Sequence, residues 1–273
     1  MKRFLPLVAI MIFCHVVLAQ PPQGNVMVIA HRGASAYAPE NTLAAFRKAV
    51  ELRADAIEID VRQTSDSQLV VIHDASIKRT TNGTGDVEEL TLRQLKAFDA
   101  GSWFDEQFRE EKIPTLEETI SILDTSTILI IEIKESSGTY PGIEKRVVDV
   151  IKKNRLEKRV ILKSFEKEVL LYLRELAPEI PLLYVYVFKV PFLNLTIDHW
   201  LSSINVMEFD VEYLQPHRVF LTKGFVEEAH KNGKKVIAWG VDTEEDMKEA
   251  IEMGVDGIET DYPDVVRRML GKN

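Results

Sequence analysis

The chain has 273 residues, of which 45 % are hydrophobic and 28 % charged, with a formal net charge of −9. That length suits one large α/β domain or two small ones, and that composition is ordinary for a globular protein. No dense Lys/Arg run supplies the basic face that nucleic-acid binders usually carry, so no nucleic-acid partner is expected; an anionic small molecule remains admissible, because local cations or a metal can invert the field at one site.

The N-terminus reads Lys2-Arg3, an apolar run from Phe4 to Leu18, and Ala19-Gln20-Pro21-Pro22. A charged start, an apolar stretch and the small residues Val17 and Ala19 form the pattern of a cleaved signal peptide over 1–19. The run is short of the roughly 20 residues of a membrane span, so a retained anchor is the lesser alternative and an exported protein, periplasmic or secreted, is expected. Cys14 is the only cysteine, and bulky Phe13 before it argues against a lipid attachment site. The mature chain would carry no disulfide and would rely on its core.

Strand-like and helix-like runs then alternate over 25–271. Val26–Ala30 reads as a strand, 40–52 as a helix and Ala56–Val61 as a second strand. Leu69–Ile72 follows too closely on Val61 for a parallel crossover, which needs a dozen residues or more, so it forms a hairpin with the strand before it. A mixed stretch with Gly and Thr fills 75–113. Thr115 and Glu118 then have the spacing of a capping box. Strands at 127–133, 160–164, 182–187, 206–210, 236–241 and 257–260 alternate with helices at 143–153, 167–176, 225–232 and 244–253. Eight βα units in this length predict a (β/α)₈ TIM barrel with a small insertion after the second strand and its hairpin. A doubly wound sheet is the alternative, and no Gly-rich fingerprint supports it.

Glu58 and Asp60 alternate with Ile57, Ile59 and Val61. They share one face, with Cα atoms about 6.5–7 Å apart. Acids on a core strand are costly without a partner; an edge strand with one polar face is the bland alternative. A two-residue turn at Asp66-Ser67 would set Asp60 opposite His73, and a three-residue turn would slip the register and set Val61 there instead. In the first register Asp60, His73 and, diagonally, Glu58 share a face. Glu132 and Lys134 repeat the alternation at another strand end. In barrel enzymes active residues gather at the C-terminal ends of strands, and His31, Glu58, Asp60, Glu132 and Lys134 all lie at such ends. Three converging carboxylates call for a cation, and oxygen-only ligands favour a hard ion, Ca²⁺ or Mg²⁺.

The motifs His31-Arg32-Gly33, Pro39-Glu40-Asn41-Thr42, Glu58-Ile59-Asp60, His73-Asp74 and Glu132-Ile133-Lys134 together resemble the glycerophosphodiester phosphodiesterase family. "KSF", "VIAWGVD" and "GVDGIETDYPD" extend the likeness over the later strands, and 75–113 looks like the family's insertion. The resemblance implies a barrel that hydrolyses glycerophosphodiesters, with one divalent cation on Glu58, Asp60 and Glu132 and with His31 and His73 as general acid and base. Arg32 and Lys134 would neutralise the phosphate, and Trp239 would wall the pocket. It suggests that the substrate's own glycerol hydroxyl attacks first, giving a cyclic phosphate that water then opens. Three positions depart from the pattern: Glu259 stands where an apolar residue is usual, and Gly240 and Asp242 replace the Thr and Asn of a Trp-Thr-Val-Asn run.

The remaining histidines, His199, His217 and His230, read as surface or packing residues. Glu208, Asp210 and Glu212 alternate on one face, either at the barrel mouth or at a solvated strand end. The run 188–195, with Phe188, Val190, Phe192, Leu193 and Leu195, is apolar for a loop on the active-site face. It either folds onto the rim or forms a lip for peripheral membrane contact, which would suit a lysophospholipase D acting on lysolipids. A sphingomyelinase D-like or phosphatidylinositol phospholipase C-like barrel is disfavoured by the long insertion after His73. A non-catalytic binding protein is disfavoured by the presence of both histidines and all three metal acids. No protein partner is expected.

Overall fold

A computed structural model describes residues 26–135, 138–186 and 206–272. The expected signal peptide over 1–19, the apolar run 188–195 and His199 lie outside them. Eight parallel strands form a closed ring: β1 (Met27–Ala30), β2 (Ala56–Gln63), β4 (Ile128–Ile133), β5 (Val160–Ser164), β6 (Leu182–Tyr186), β7 (Tyr213–Pro216), β8 (Lys235–Trp239) and β9 (Gly257–Thr260). β1 pairs with both β2 and β9, which closes the barrel and excludes the doubly wound sheet. β3 (Leu69–Val71) lies antiparallel against β2, outside the ring. Helices α1 (Leu43–Glu51), α3 (Leu116–Ser121), α4 (Ile143–Lys153), α5 (Lys167–Leu176), α6 (Lys223–Lys231), α7 (Glu244–Met253) and α8 (Pro263–Met269) follow or link the strands, and the short α2 (Leu92–Leu95) lies in the insertion.

Strand alternation sorts the core. Val28, Ile57, Ile59, Leu129 and Ile131 belong to the large apolar cluster between ring and helices. Ile29, Ala56, Ile130, Ile161, Leu183 and Ile237 fill the barrel interior. On β1, β2, β4 and β5 the next inward positions toward the C-terminal mouth are polar (His31, Glu58, Glu132 and Lys163), so the site rests directly on this apolar floor. The helix starts follow local chemistry. Thr42 caps α1 by accepting from the Ala45 N–H, and Thr115 with Glu118 completes the capping box of α3.

Two expectations are corrected. The sixth barrel strand is Tyr213–Pro216, and 206–210 holds only a 3₁₀ turn at Val206–Glu208. Both stretches alternate in polarity, but the ring takes the one whose inward residue, Gln215, reaches a partner across the barrel: its Nε2 donates to Glu259 at 2.8 Å. The acids before it lie at the opposite end from the mouth. Arg174 binds Asp210 and Glu212, and Glu212 accepts from the Leu182 N–H where β6 begins. The hairpin register also differs. Val61 faces Val71 and Gln63 faces Leu69, so the turn takes the three residues Ser65–Ser67, with Ser67 left-handed at φ 61°. Asp66 favours this turn by accepting from the Thr64 hydroxyl and the Leu92 N–H. His73 therefore follows the strand instead of facing Asp60 within it.

The insertion has a small core of its own, with Ile77, Val87, Leu95 and Ile113 packed against Val70 of β3 and Ile72 just after it. Asp99 ties its loops together, accepting from the N–H groups of Gly101, Ser102 and Glu110 and from the Ser102 hydroxyl. Burial pushes the Asp99 carboxyl up, but these hydrogen bonds outweigh it and hold the group well below the usual carboxylate range. Asp99→Ala should cost about 2–4 kcal/mol, because several donors lose one acceptor. A depressed carboxyl stabilises above its unfolded pKa of about 4 and loses that contribution as pH falls. Urea melts should show the gap between wild type and variant shrinking in acid; a gap independent of pH would refute this role.

Candidate active site

Glu58, Asp60, Glu132 and Glu259 are all buried at the mouth end of the ring. Carboxylates packed this closely repel one another unless cations lie among them. Two lysines do. Lys163 Nζ lies 2.9 Å from Glu58 Oε1, 3.2 Å from Glu132 Oε2 and 3.0 Å from Glu259 Oε1. Lys134 Nζ lies 2.6 Å from Glu132 Oε1 and 3.4 Å from Asp60 Oδ1. Burial raises the Asp60 carboxyl, but Lys134 and Arg32 outweigh it and hold Asp60 well below the usual range. Glu58 fares differently. Burial pushes it up, Lys163 opposes, and Asp60 and Glu259 add to the rise, leaving it at about 7.

Glu58, Asp60 and Glu132 each offer an oxygen such that the three lie within 4.8 Å of one another. The donor set is oxygen-only and anionic, which fits a hard divalent ion and not a thiophilic one. Outer partners fix each ligand, as at held metal sites. The Arg32 N–H donates to Glu58 Oε2 at 3.1 Å, and Asn41 Nδ2 donates to Asp60 Oδ2 at 2.7 Å.

The His-Arg-Gly turn explains how β1 delivers these groups. Arg32 (φ 55°) and Gly33 (φ 84°) are both left-handed. A side chain at 33 would meet the Ala45 backbone at 2.7 Å, so only glycine lets the turn pack on α1. The strain at Arg32 has a return, because the turn aims its N–H at Glu58 and its guanidinium between Glu40 (2.8 Å) and Asp60 (3.4 Å). His31 Nδ1 lies 2.8 Å from Asp261 Oδ1, which also accepts from the Ser35 hydroxyl. Burial lowers the His31 pKa, but the Asp261 hydrogen bond and the charges of Glu58 and Glu259 outweigh it and push it up to about 9.

His73 is held in the same manner. Its Nδ1 lies 2.6 Å from Asp74 Oδ1; Arg79 Nε donates to the other Asp74 oxygen at 2.6 Å, and Arg79 also grips both oxygens of Glu40. One chain of ion pairs therefore links His73 to Arg32 through Asp74, Arg79 and Glu40. Burial lowers the His73 pKa, and although Asp60 opposes, Lys134 and Arg32 assist, leaving it below its ordinary value.

Trp239 ends β8 beside the mouth. Its ring lies 6.4 Å from Phe165, whose own ring is 5.6 Å from Lys134 Nζ, and 4.5 Å from His217. His217 is thus a packing partner of the pocket wall, while His230 pairs with Asp256 at the surface. The structure brings His31, Arg32, Glu58, Asp60, Glu132 and Lys134 into one connected set, with His73 joined through Asp74. Lys163, Glu40, Asn41, Gln215 and Asp261 belong to the same set; the sequence motifs contain all of these but Gln215, and sequence reasoning gave none of them a role. The available signal for Lys163 was its position: a lysine within an apolar strand, on the inward parity. For Asp261 there was none, since its partner is 230 residues away.

The chain matches the sequence profile of the Glycerophosphoryl diester phosphodiesterase family over residues 31–265. It is 40 % identical over 249 residues to a glycerophosphodiester phosphodiesterase of Caldanaerobacter subterraneus, covering 91 % of this chain and 99 % of that one. It is 33 % identical to a Bacillus subtilis glycerophosphodiester phosphodiesterase, covering 90 % and 86 % of the two chains. Among solved structures, an Oleispira antarctica phosphodiesterase in complex with the product sn-glycerol-3-phosphate superposes with a TM-score of 0.79 at 29 % identity, over 90 % of this chain and 96 % of that one.

The His31–Asp261 pair gives a direct check. A histidine raised above its unfolded value contributes stability that is full below about pH 6.5 and is lost as pH rises through the folded value. In metal-free protein, the His31 ring signals in a histidine NMR titration should move near pH 9. Asp261→Asn removes the strongest contact favouring the charged form, so the midpoint should fall. A midpoint unchanged by the substitution would show that Asp261 does not hold the proton.

Proposed function

The chain belongs to the glycerophosphoryl diester phosphodiesterase family, and from that premise we propose that it hydrolyses glycerophosphodiesters to sn-glycerol 3-phosphate and an alcohol with one divalent cation and two histidines. The observation that carries the proposal is the convergence of Glu58, Asp60 and Glu132 oxygens within 4.8 Å beside two aspartate-held histidines. The Oleispira protein's complex with sn-glycerol-3-phosphate supports the product class.

A phosphodiester resists attack because its anionic oxygens repel nucleophiles. An ion held by Glu58, Asp60 and Glu132, Ca²⁺ or Mg²⁺, would supply Lewis-acid neutralisation of that charge. Arg32 and Lys134 add fixed positive charge where it grows in the transition state. His73, kept neutral, takes a proton from the attacking hydroxyl; His31, kept protonated, gives one to the leaving alcohol. Asp74 and Asp261 each engage a ring Nδ1, which leaves Nε2 for substrate. The apolar sequence of 188–195 favours a second substrate class, lysophospholipids, with that run as the acyl-chain lip, and the signal-like 1–19 favours export.

Chelation should abolish turnover of glycerophosphocholine while far-UV circular dichroism stays unchanged, and Glu58→Gln should mimic it. Undiminished turnover in chelator would sink the metal role. His31→Ala and His73→Ala should each lower kcat by about 10²–10⁴-fold. The pH profile of kcat/KM should fall on the acid side as His73 protonates, below its ordinary 6.5, and on the alkaline side as His31 loses its proton, earlier than in metal-free protein because the ion offsets the charge of Glu58.

Phe192→Ser with Leu193→Ser separates the substrate classes. Loss of lysophospholipid turnover alone would support the lip. Equal loss on glycerophosphocholine, with a lowered Tm, would make these residues part of the core.

A further inference from the structure

Lys163 takes no part in the reaction drawn above, yet its ammonium lies buried in the middle of the carboxylate layer. The oxygens it contacts are a particular half of those available. It donates to Glu58 Oε1, while Glu58 Oε2 accepts from the Arg32 N–H. It faces Glu132 Oε2, while Glu132 Oε1 faces Lys134. Its other partner is Glu259, which it meets through both oxygens at 3.0 and 3.2 Å. Glu259 in turn accepts from Gln215 Nε2 at 2.8 Å, and Gln215 is wholly buried on the neighbouring side of the ring.

We propose that Lys163 is a positioning residue for the cation cage and that Glu259 is its anchor: the ammonium, held toward β9, steadies one oxygen each of Glu58 and Glu132, and the ion would meet their other oxygens, which the Arg32 N–H and Lys134 also orient. The inference rests on the reading of Glu58, Asp60 and Glu132 as a divalent-cation site.

The physical case turns on competition. A lysine among carboxylates is itself a cation seeking the oxygens that a metal needs. Glu259 removes that conflict by matching the charge of Lys163 from a position outside the three-ligand group. Without Glu259, Lys163 would be compensated only by Glu58 and Glu132, and an incoming ion would have to displace it. Without Lys163, Glu259 would keep only the Gln215 hydrogen bond and the nearby His31 against the repulsion of Glu58, since ligand atoms of His31, Glu58 and Glu259 lie within 4.8 Å of one another. Removing one member of a buried pair is far more damaging than replacing both. The two single changes therefore harm the cage for opposite reasons, and the double change relieves both.

The test is a calorimetric titration of the full mature chain with Ca²⁺ and with Mg²⁺, beside thermal melts in chelator and in excess ion. E259Q should bind the ion at least about tenfold more weakly than wild type, the scale of one displaced contact. K163Q should melt lower than wild type in chelator and gain more from added ion. K163Q/E259Q should return to within about threefold of wild-type affinity, a clear departure from additivity. Wild-type affinity in E259Q, or losses that simply multiply in the double variant, would overturn the inference. So would a drop in Tm that is equal with and without ion and leaves affinity untouched, since that marks a merely structural pair. Should K163Q not fold, the isosteric E259Q and the double variant decide alone. A wild-type chain that binds neither ion would overturn the cage reading itself, which sets that failure apart.

Discussion

Four carboxylates buried in one layer of a closed barrel set the terms for the rest of the molecule. Each would be costly alone in that position, and together they repel. The chain answers by sending Lys163 up from β5, Lys134 from the end of β4, and the Arg32 backbone and guanidinium from the turn after β1. The closed ring matters here. Only closure brings β9 beside β1, and so lets Asp261 hold His31, 230 residues earlier. The apolar layer of Ile29, Ile130, Ile161 and Ile237 directly beneath shuts out water from below and raises the strength of every charge contact above it.

Outside the ring, the insertion extends the same network. Arg79 binds Asp74 and Glu40 at once, so the loop that carries His73 and the loop that carries Arg32 are fixed to each other. Such outer contacts orient the groups proposed to touch substrate and account for the length of the polar motifs around each histidine. Asp99 holds the insertion itself in shape through hydrogen bonds to its carboxylate. The packing of Val70 and Ile72 against Ile77 and Ile113 transmits that order to the hairpin.

The barrel and most of the site were legible because both rest on local periodicity. Strands such as Ala56–Val61 alternate cleanly, and an acid on the inward parity of a core strand stands out against its isoleucines. The capping box at Thr115 is likewise a three-residue pattern. What escaped was decided by distant partners. Residues 206–210 alternate as well as Tyr213–Pro216 does, and only the cross-barrel bond from Gln215 to Glu259 distinguishes them. The hairpin register turned on Asp66, whose carboxylate answers a backbone N–H from Leu92 as well as its neighbour Thr64. Lys163 stands out as a lysine on the inward parity of an apolar strand, but its role is hidden until the ring closes and three acids from three other strands face it.

Charge balance within the layer joins the structure to its chemistry. Glu58, Asp60, Glu132 and Glu259 face Lys134, Lys163 and Arg32, and burial, with Asp60 and Glu259 nearby, keeps the Glu58 pKa high. At the edge of the layer Arg32 is shared with Glu40, and the protonated His31 stands beside Glu58 and Glu259. A divalent ion in the cage would add two positive charges to this field and strengthen its attraction for a phosphodiester anion. Lys163 bears on this balance directly, because matching it to Glu259 leaves the attraction for a phosphate to the groups that face the mouth.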